Sequence, residues 1–182
     1  LAHTHCQSAV VGISGGLDST LAVLVTARAF DMLKIPRENI VCVTMPCFGT
    51  TDRTYSNAVT LTKKLGASLR EIRINKAVEQ HFSDIGHDPE IHNVTYENSQ
   101  ARERTQILMD IANQTNGMVI GTGDMSELAL GWATYNGDHM SMYAVNCSVP
   151  KTLVRHLVRY YADTSEEQEL KEVLLDLSLI HI

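Results

Sequence analysis

The stretch VVGISGGLDSTLAVL, Val10–Leu24, decides the fold. It passes from apolar β-branched residues through Ser-Gly-Gly-Leu-Asp-Ser into apolar positions at helical spacing. Ala9 to Ile13 reads as a buried strand ended by the glycine pair, and Ser19 to about Leu33, with Leu21, Leu24, Val25 and Ala29, reads as a helix. A turn this rich in glycine gives up local stability, which points to something bound there.

Working outward, Pro36 ends the helix and Ile40 to Met45 reads as a second strand. Asp52 is expected to cap a helix running through Leu65 and closed by Gly66. Leu69 to Ile74 reads as a third strand, Lys76 to Phe82 as a helix, DIGHDPEIHN as a polar loop, Thr95 to Gln114 as a long helix and Met118 to Gly121 as a fourth buried strand. Strands alternating with helices imply parallel crossovers, so the expected fold is α/β, a parallel sheet with helices on both faces. Beyond Gly121, GTGDMSELALGWATYNGDHMSMYAVNCSVPK reads as one long loop, and such loops are usually functional. Helices are expected again over Lys151–Tyr161 and Ser165–Leu177, and the final LSLIHI, apolar and uncapped, receives no function.

Composition bounds the rest. A chain of 182 residues, 44% hydrophobic and 20% charged, suits one soluble domain with a substantial core. A net charge of −6, with Lys63 and Lys64 the adjacent basic pair of the body, argues against a nucleic-acid surface. No apolar run is long enough to span a bilayer and no signal peptide opens the chain, so a cytoplasmic location without membrane partners is expected. Cys6, Cys42, Cys47 and Cys147 form no C-x-x-C pair. His3, His5 and Cys6 could ligate a metal, but no partner cluster stands at ligand spacing.

In parallel sheets, ligands bind beyond the carboxyl ends of the strands, where Ser14–Ser19 falls. Gly15 and Gly16 allow close approach, the following amides with the helix start make an anion-binding concavity, and Ser14 and Ser19 add hydroxyls. The fit is to phosphate. The Lys-Ser/Thr pair of the common P-loop is missing, and the turn is not G-x-G-x-x-G. Asp18 would repel phosphate unless a divalent cation lay between, so it suggests Mg²⁺. The plainer alternative is a glycine turn with Asp18 as a helix cap.

SGGLDS after an apolar strand resembles the pyrophosphate-binding loop (PP-loop) of the ATP pyrophosphatase group, and YENSQARERTQILMDIAN, VIGTGDMSELALGWATYNGD and SVPKTLVR resemble NAD synthetase, nearest the glutamine-dependent long form. The resemblance covers roughly Val10 to Asp163. It implies a Rossmann-like fold of the adenine-nucleotide alpha-hydrolase type, with an incomplete synthetase domain over residues 1–176 and a tail outside the family over 177–182. It implies a ligase that amidates deamido-NAD to NAD through an acyl-adenylate, releasing AMP and pyrophosphate. The nitrogen would come from ammonia, or from glutamine through a glutaminase domain that the long form carries and this chain lacks. Further copies of the chain are expected as partners. Other ATP pyrophosphatases, such as GMP synthetase or a tRNA-modifying enzyme, or a non-catalytic nucleotide-binding module, are the alternatives.

Carried over residue by residue, the resemblance gives ATP to Gly12, Ile13, Ser14, Gly15, Gly16, Leu17, Asp18 and Ser19, with Thr122 and Lys151 reaching the nucleotide. Asp18 and Glu127 would share Mg²⁺, and with Lys151 form the catalytic set. A lysine opening a helix opposes the helix dipole, which makes a nearby anion more plausible for Lys151. Deamido-NAD is expected at Asn98 and Arg102, four apart on one helix face, and at Glu127, Trp132, Ala133, Thr134, Tyr135 and Asp138. Arg104 is expected to point elsewhere, and Trp132 could equally be ordinary core.

Overall fold

The structure is a computed structural model that describes residues 1–48 and 52–179. Five parallel strands form one sheet in the order β3-β2-β1-β4-β5. They are β1 (Ser8–Gly12), β2 (Ile40–Thr44), β3 (Ser68–Glu71), β4 (Gly117–Gly121) and β5 (Tyr143–Ala144). The helices are α1 (Leu17–Leu33), α2 (Asp52–Lys64), α3 (Asn75–Ile85), α4 (Val94–Gln114), α5 (Met125–Leu130), α6 (Lys151–Thr164) and α7 (Gln168–Leu179). The expected α/β class holds, with helices on both faces.

Alternation along the strands sorts the core into two layers. Ala9 and Val11 of β1, with Ile40 and Cys42 of β2, pack against α1, α2, α6 and α7 through Leu21, Phe30, Leu61, Val154 and Leu174. Val10, Val41, Val43 and Val119 face the other way, onto Val78 and Phe82 of α3 and Tyr96, Ile111 and Ala112 of α4. β1 is buried on both faces, as a central parallel strand must be.

The chain leaves β1 toward β2 and β3, then returns through α3 and α4 to place β4 on the other side of β1. The connections after β1 and β4 therefore diverge, and a crevice opens at the carboxyl ends of these two strands. That crevice receives SGGLDS from one side and TGDMSE from the other.

Several boundaries differ from the sequence expectation. The third strand stops at Glu71, although Ile72 N still donates to Thr44 O at 3.0 Å; Ile74 is buried as the residue preceding α3. The Gly121–Lys151 segment is not one loop, because it contains α5 and β5. α7 runs to Leu179 with Leu174 and Leu177 buried, so the boundary drawn after residue 176 falls inside a helix and Leu177 belongs to the core. The capping role expected of the Asp52 side chain, and residues 180–182 of the tail, lie outside what is described.

Candidate active site

The β1–α1 turn is shaped by Gly15, whose φ is +76°. A Cβ there would lie 2.1 Å from the carbonyl oxygen of Thr54 on α2, so glycine is required both by conformation and by contact. Gly16 is the N-cap of α1 and offers no side-chain cap, which leaves the first helical amides open. Ser19 Oγ donates to Gly16 O at 3.1 Å, and Thr20 Oγ1 to the same oxygen at 2.8 Å. Ser14 Oγ accepts from Gly16 N at 3.2 Å and lies 3.3 Å from Ser19 Oγ. The turn is braced from within, while the first amides of α1, those of Leu17, Asp18 and Ser19, stay available to an anion. Leu17 is a core side chain, so only its backbone could face a nucleotide.

Across the crevice, Asp124 caps α5 through a capping box. Asp124 Oδ1 accepts from Glu127 N at 2.9 Å and Glu127 Oε2 from Asp124 N at 3.3 Å. Each carboxylate spends one oxygen on the cap and turns the other toward Lys151. Lys151 Nζ lies 2.5 Å from Asp18 Oδ2, 2.7 Å from Asp124 Oδ2 and 3.4 Å from Glu127 Oε1. α6 is fixed against α5 by Lys151 N donating to Ser126 Oγ at 3.1 Å and by Met125 N donating to Val149 O at 3.0 Å. The unfavourable placement of a lysine at a helix start is thus compensated by three acids.

Three carboxylates against one ammonium leave the cluster net negative. Burial pushes the Asp18 carboxyl above the ordinary range, against the opposing hydrogen bond and charge of Lys151. Burial works the same way on Asp124, but the Lys151 hydrogen bond and the Glu127 amide outweigh it and hold Asp124 below its usual value. Burial alone would lower Lys151; the hydrogen bonds it donates to Asp124 and Asp18 more than offset this and raise the ammonium.

The donor set fits a divalent cation. Oxygens of Asp18, Asp124 and Glu127 all lie within 4.8 Å of one another, and the buried Asp18 Oδ1 has no donor. No other such group of His, Cys, Asp or Glu exists among the described residues, so His3, His5 and Cys6 do not converge on a site. No disulfide joins the four cysteines, and burial pushes the Cys42 thiol up to about 11, the state of an inert thiol.

A cleft of about 530 Å³ extends from this cluster. It is lined by Gly12, Ile13, Ser14, Asp18 and Ser19 from the first turn and by Thr122 and Glu127 from the second. Trp132, Ala133, Thr134 and Asp138 close one side. Trp132 and Tyr135 are 74% and 73% exposed, so neither is core. Tyr135 lies outside the lining and its carbonyl accepts from Arg102 Nη2 at 3.2 Å. Asn98, half-buried on α4, is also outside the lining. Arg104, expected to point elsewhere, instead faces the cleft beside Thr105 and Leu108. Arg102, expected at the second substrate from the resemblance and its spacing to Asn98, stands two positions from Arg104 on α4, so the two project from different sides of the helix and Arg104 is the one on the cleft.

The residues missed from the sequence are Asp124 and Asn146. Asp124 was legible as the first position of D-M-S-E, a capping-box spacing, but nothing local showed that its second oxygen meets Lys151.

The NAD synthase family model matches residues 1–168. The chain belongs to the NAD synthase family. It is 48% identical over 171 residues to the glutamine-dependent NAD(+) synthetase of Mycobacterium leprae, an alignment covering 91% of this chain and 25% of that protein. The NH(3)-dependent NAD(+) synthetase of Thermoplasma acidophilum is 37% identical over 132 residues, 72% of this chain and 52% of that protein. Among solved structures, the glutamine-dependent NAD+ synthetase of Acinetobacter baumannii in complex with ADP superposes with a TM-score of 0.88 at 27% identity, covering 100% of this chain and 33% of that one. The chain spans about a quarter of the length of the glutamine-dependent relative it matches.

Proposed function

We propose that this chain carries the ATP-dependent, adenylating part of an NAD synthase, amidating deamido-NAD to NAD. The observation that carries the reading is the meeting of Asp18, Asp124, Glu127 and Lys151 at the uncapped start of α1. A carboxylate is a poor electrophile, so its conversion to an amide needs a leaving group. The nicotinate oxygen forms a bond to the α-phosphorus of ATP, and the bond from that phosphorus to the bridging oxygen breaks, releasing pyrophosphate. Ammonia then attacks the acyl carbon, loses a proton and displaces AMP.

The open amides of Leu17–Ser19 receive phosphate oxygens, and Ser14 and Ser19 donate beside them. Lys151 holds positive charge where the phosphates enter. Asp18 and Glu127, joined by Asp124, would hold Mg²⁺, which when bound supplies charge neutralisation at the phosphates. Thr122 lines the nucleotide cleft, while Trp132, Ala133, Thr134 and Asp138 present the second substrate wall; Asn98, Arg102 and Tyr135, outside the lining, complete the candidate set for the second substrate. The exposed Leu130, Trp132 and Tyr135 support self-association, and four unbridged thiols support a cytoplasmic setting. Among the described residues no helix is long and apolar enough to cross a membrane.

The test is pyrophosphate release and NAD formation from ATP, Mg²⁺ and deamido-NAD, with ammonium and glutamine offered separately and a GMP precursor as the competing acceptor. Release that requires deamido-NAD is expected. Release that follows the GMP precursor instead overturns the reading.

A further inference from the structure

Asn146 lies two residues beyond β5 and is wholly buried. Its Nδ2 donates to the main-chain carbonyl of Asp18 at 2.9 Å and to that of Thr122 at 3.0 Å. Both partners are carbonyl oxygens, so the amide orientation is fixed: the nitrogen must face them. The other end, Oδ1, is buried without a donor. An amide side chain buried with an unmet acceptor is costly, and a site that retains one uses the donor end for something.

That use is visible in what the two carbonyls belong to. Asp18 is in the first turn of α1, and Thr122 stands two residues before Asp124. No ladder bond joins these two connections, since β1 and β4 pair only from Ser8–Gly117 to Val10–Val119 and then diverge. Asn146 spans the gap they leave. It is held in place by β5, paired with β4 at Ile120–Tyr143 and Gly121–Ala144, and by Val149 N donating to Asn146 O at 2.9 Å. The same turn leads directly into Lys151.

We infer that Asn146 is a positioning residue that clamps the two acid-bearing connections together and so sets the spacing of the Asp18, Asp124 and Glu127 oxygens for a divalent cation. It touches no substrate and acts through the backbone of Asp18 and Thr122. The inference rests on the reading of the acid cluster as a metal site, and the experiment separates the two.

Mn²⁺ alone is titrated into the 182-residue chain and into variants, with bound ion counted by electron paramagnetic resonance below the melting temperature of every protein. Asn146→Ala removes the clamp. Asn146→Ser keeps a polar group of smaller reach that cannot span both carbonyls, and guards against failure of the alanine variant to fold. Thr62→Val, which removes a buried hydroxyl from α2 away from the cleft, controls for general loosening. Mn²⁺ affinity is expected to fall about tenfold in the Asn146 variants, the lower end of what support beyond the ligands is worth, and to stay unchanged in Thr62→Val. Wild-type affinity in folded Asn146→Ser overturns the clamp, as does an equal loss in Thr62→Val. Absence of Mn²⁺ binding by the wild-type chain overturns the metal reading and the clamp with it.

Discussion

The ammonium of Lys151 lies 2.5 Å from Asp18 Oδ2 although 133 positions separate the two residues in the chain. One opens the first helix after β1 and the other opens α6, and the sheet order brings the two helix starts to the same crevice. The contact makes Lys151 the counter-charge of a cluster that otherwise repels itself. Lys151→Met is therefore expected to lower the stability of the metal-free protein by about 1–2 kcal/mol, less than for a fully buried pair because the lysine is partly exposed to water. Mg²⁺ should stabilise the variant more than the wild type. Thermal melts in chelator and in Mg²⁺ check this; equal Mg²⁺ shifts in both proteins would contradict it.

Asp18→Asn acts in the opposite sense on stability. It removes one negative charge from a net-negative, desolvated cluster whose burial already disfavours the ionised form. The fold should be kept, with a melting temperature equal to or above wild type, while pyrophosphate release in the presence of deamido-NAD falls at least a hundredfold. This corresponds to about 3 kcal/mol of lost transition-state stabilisation. Wild-type release by the variant would remove Asp18 from the chemistry.

Gly15→Ala tests the turn itself. The substitution meets a positive φ and the Thr54 carbonyl at once, so α1 and α2 must separate to admit the methyl group. A loss of about 3 kcal/mol is expected in chemical denaturation, from backbone strain plus the clash. Gly66, also at positive φ but with nothing near its missing Cβ, should lose less on the same change.

The strand–turn–helix of Val10–Leu24 was legible because each signal in it is local: β-branched residues, paired glycines, then helical spacing. The expectation of a phosphate at the turn follows from the same residues. Arg104, Asp124 and Asn146 were not legible in this way. Asp124 reads locally as a helix cap, which it is, and its contact with Lys151 depends on how α6 returns to the sheet. Asn146 gains its role from β5, a strand of two residues, too short to show any alternation. Arg102 and Arg104 differ only in which side of α4 faces the cleft.

Acid should expose a different pair. Arg37 Nε and Nη2 donate to Asp31 Oδ1 and Oδ2 at 2.8 and 2.7 Å, and Nη1 donates to Leu65 O at 3.2 Å, tying the end of α1 to the end of α2. The Arg37 hydrogen bonds hold the Asp31 carboxyl below its ordinary 3.8. A carboxyl depressed in the folded state contributes stability above its unfolded pKa and loses it as pH falls through the folded one. Asp31→Asn should therefore cost about 0.5 kcal/mol at neutral pH, as solvent-facing pairs do. The difference from wild type should close below about pH 4, where the unfolded carboxyl protonates. Denaturation curves of both proteins across pH 2–7 would show it, and a gap that persists at the acid end would assign the effect to something other than charge.

Arg104 and Arg102 separate binding from loop support. Arg104 is the lysine or arginine that lines the cleft among the described residues. Arg102 is exposed and spends Nη2 on the Tyr135 carbonyl, which pins the Gly131–Asp138 segment to α4 alongside the Thr105 hydroxyl, 2.9 Å from Gly137 O. Removing the first should weaken a nucleotide in the cleft; removing the second should loosen that segment and leave the nucleotide alone. Arg104→Ala is expected to reduce affinity for a non-hydrolysable ATP analogue about tenfold, the worth of one charge-assisted hydrogen bond. Arg102→Ala should bind the analogue as wild type does, while amide exchange quickens between residues 131 and 138. Calorimetry and hydrogen exchange on the two variants distinguish these effects. The reverse pattern, with Arg102→Ala losing nucleotide and Arg104→Ala retaining it, would show that α4 presents the other face to the ligand.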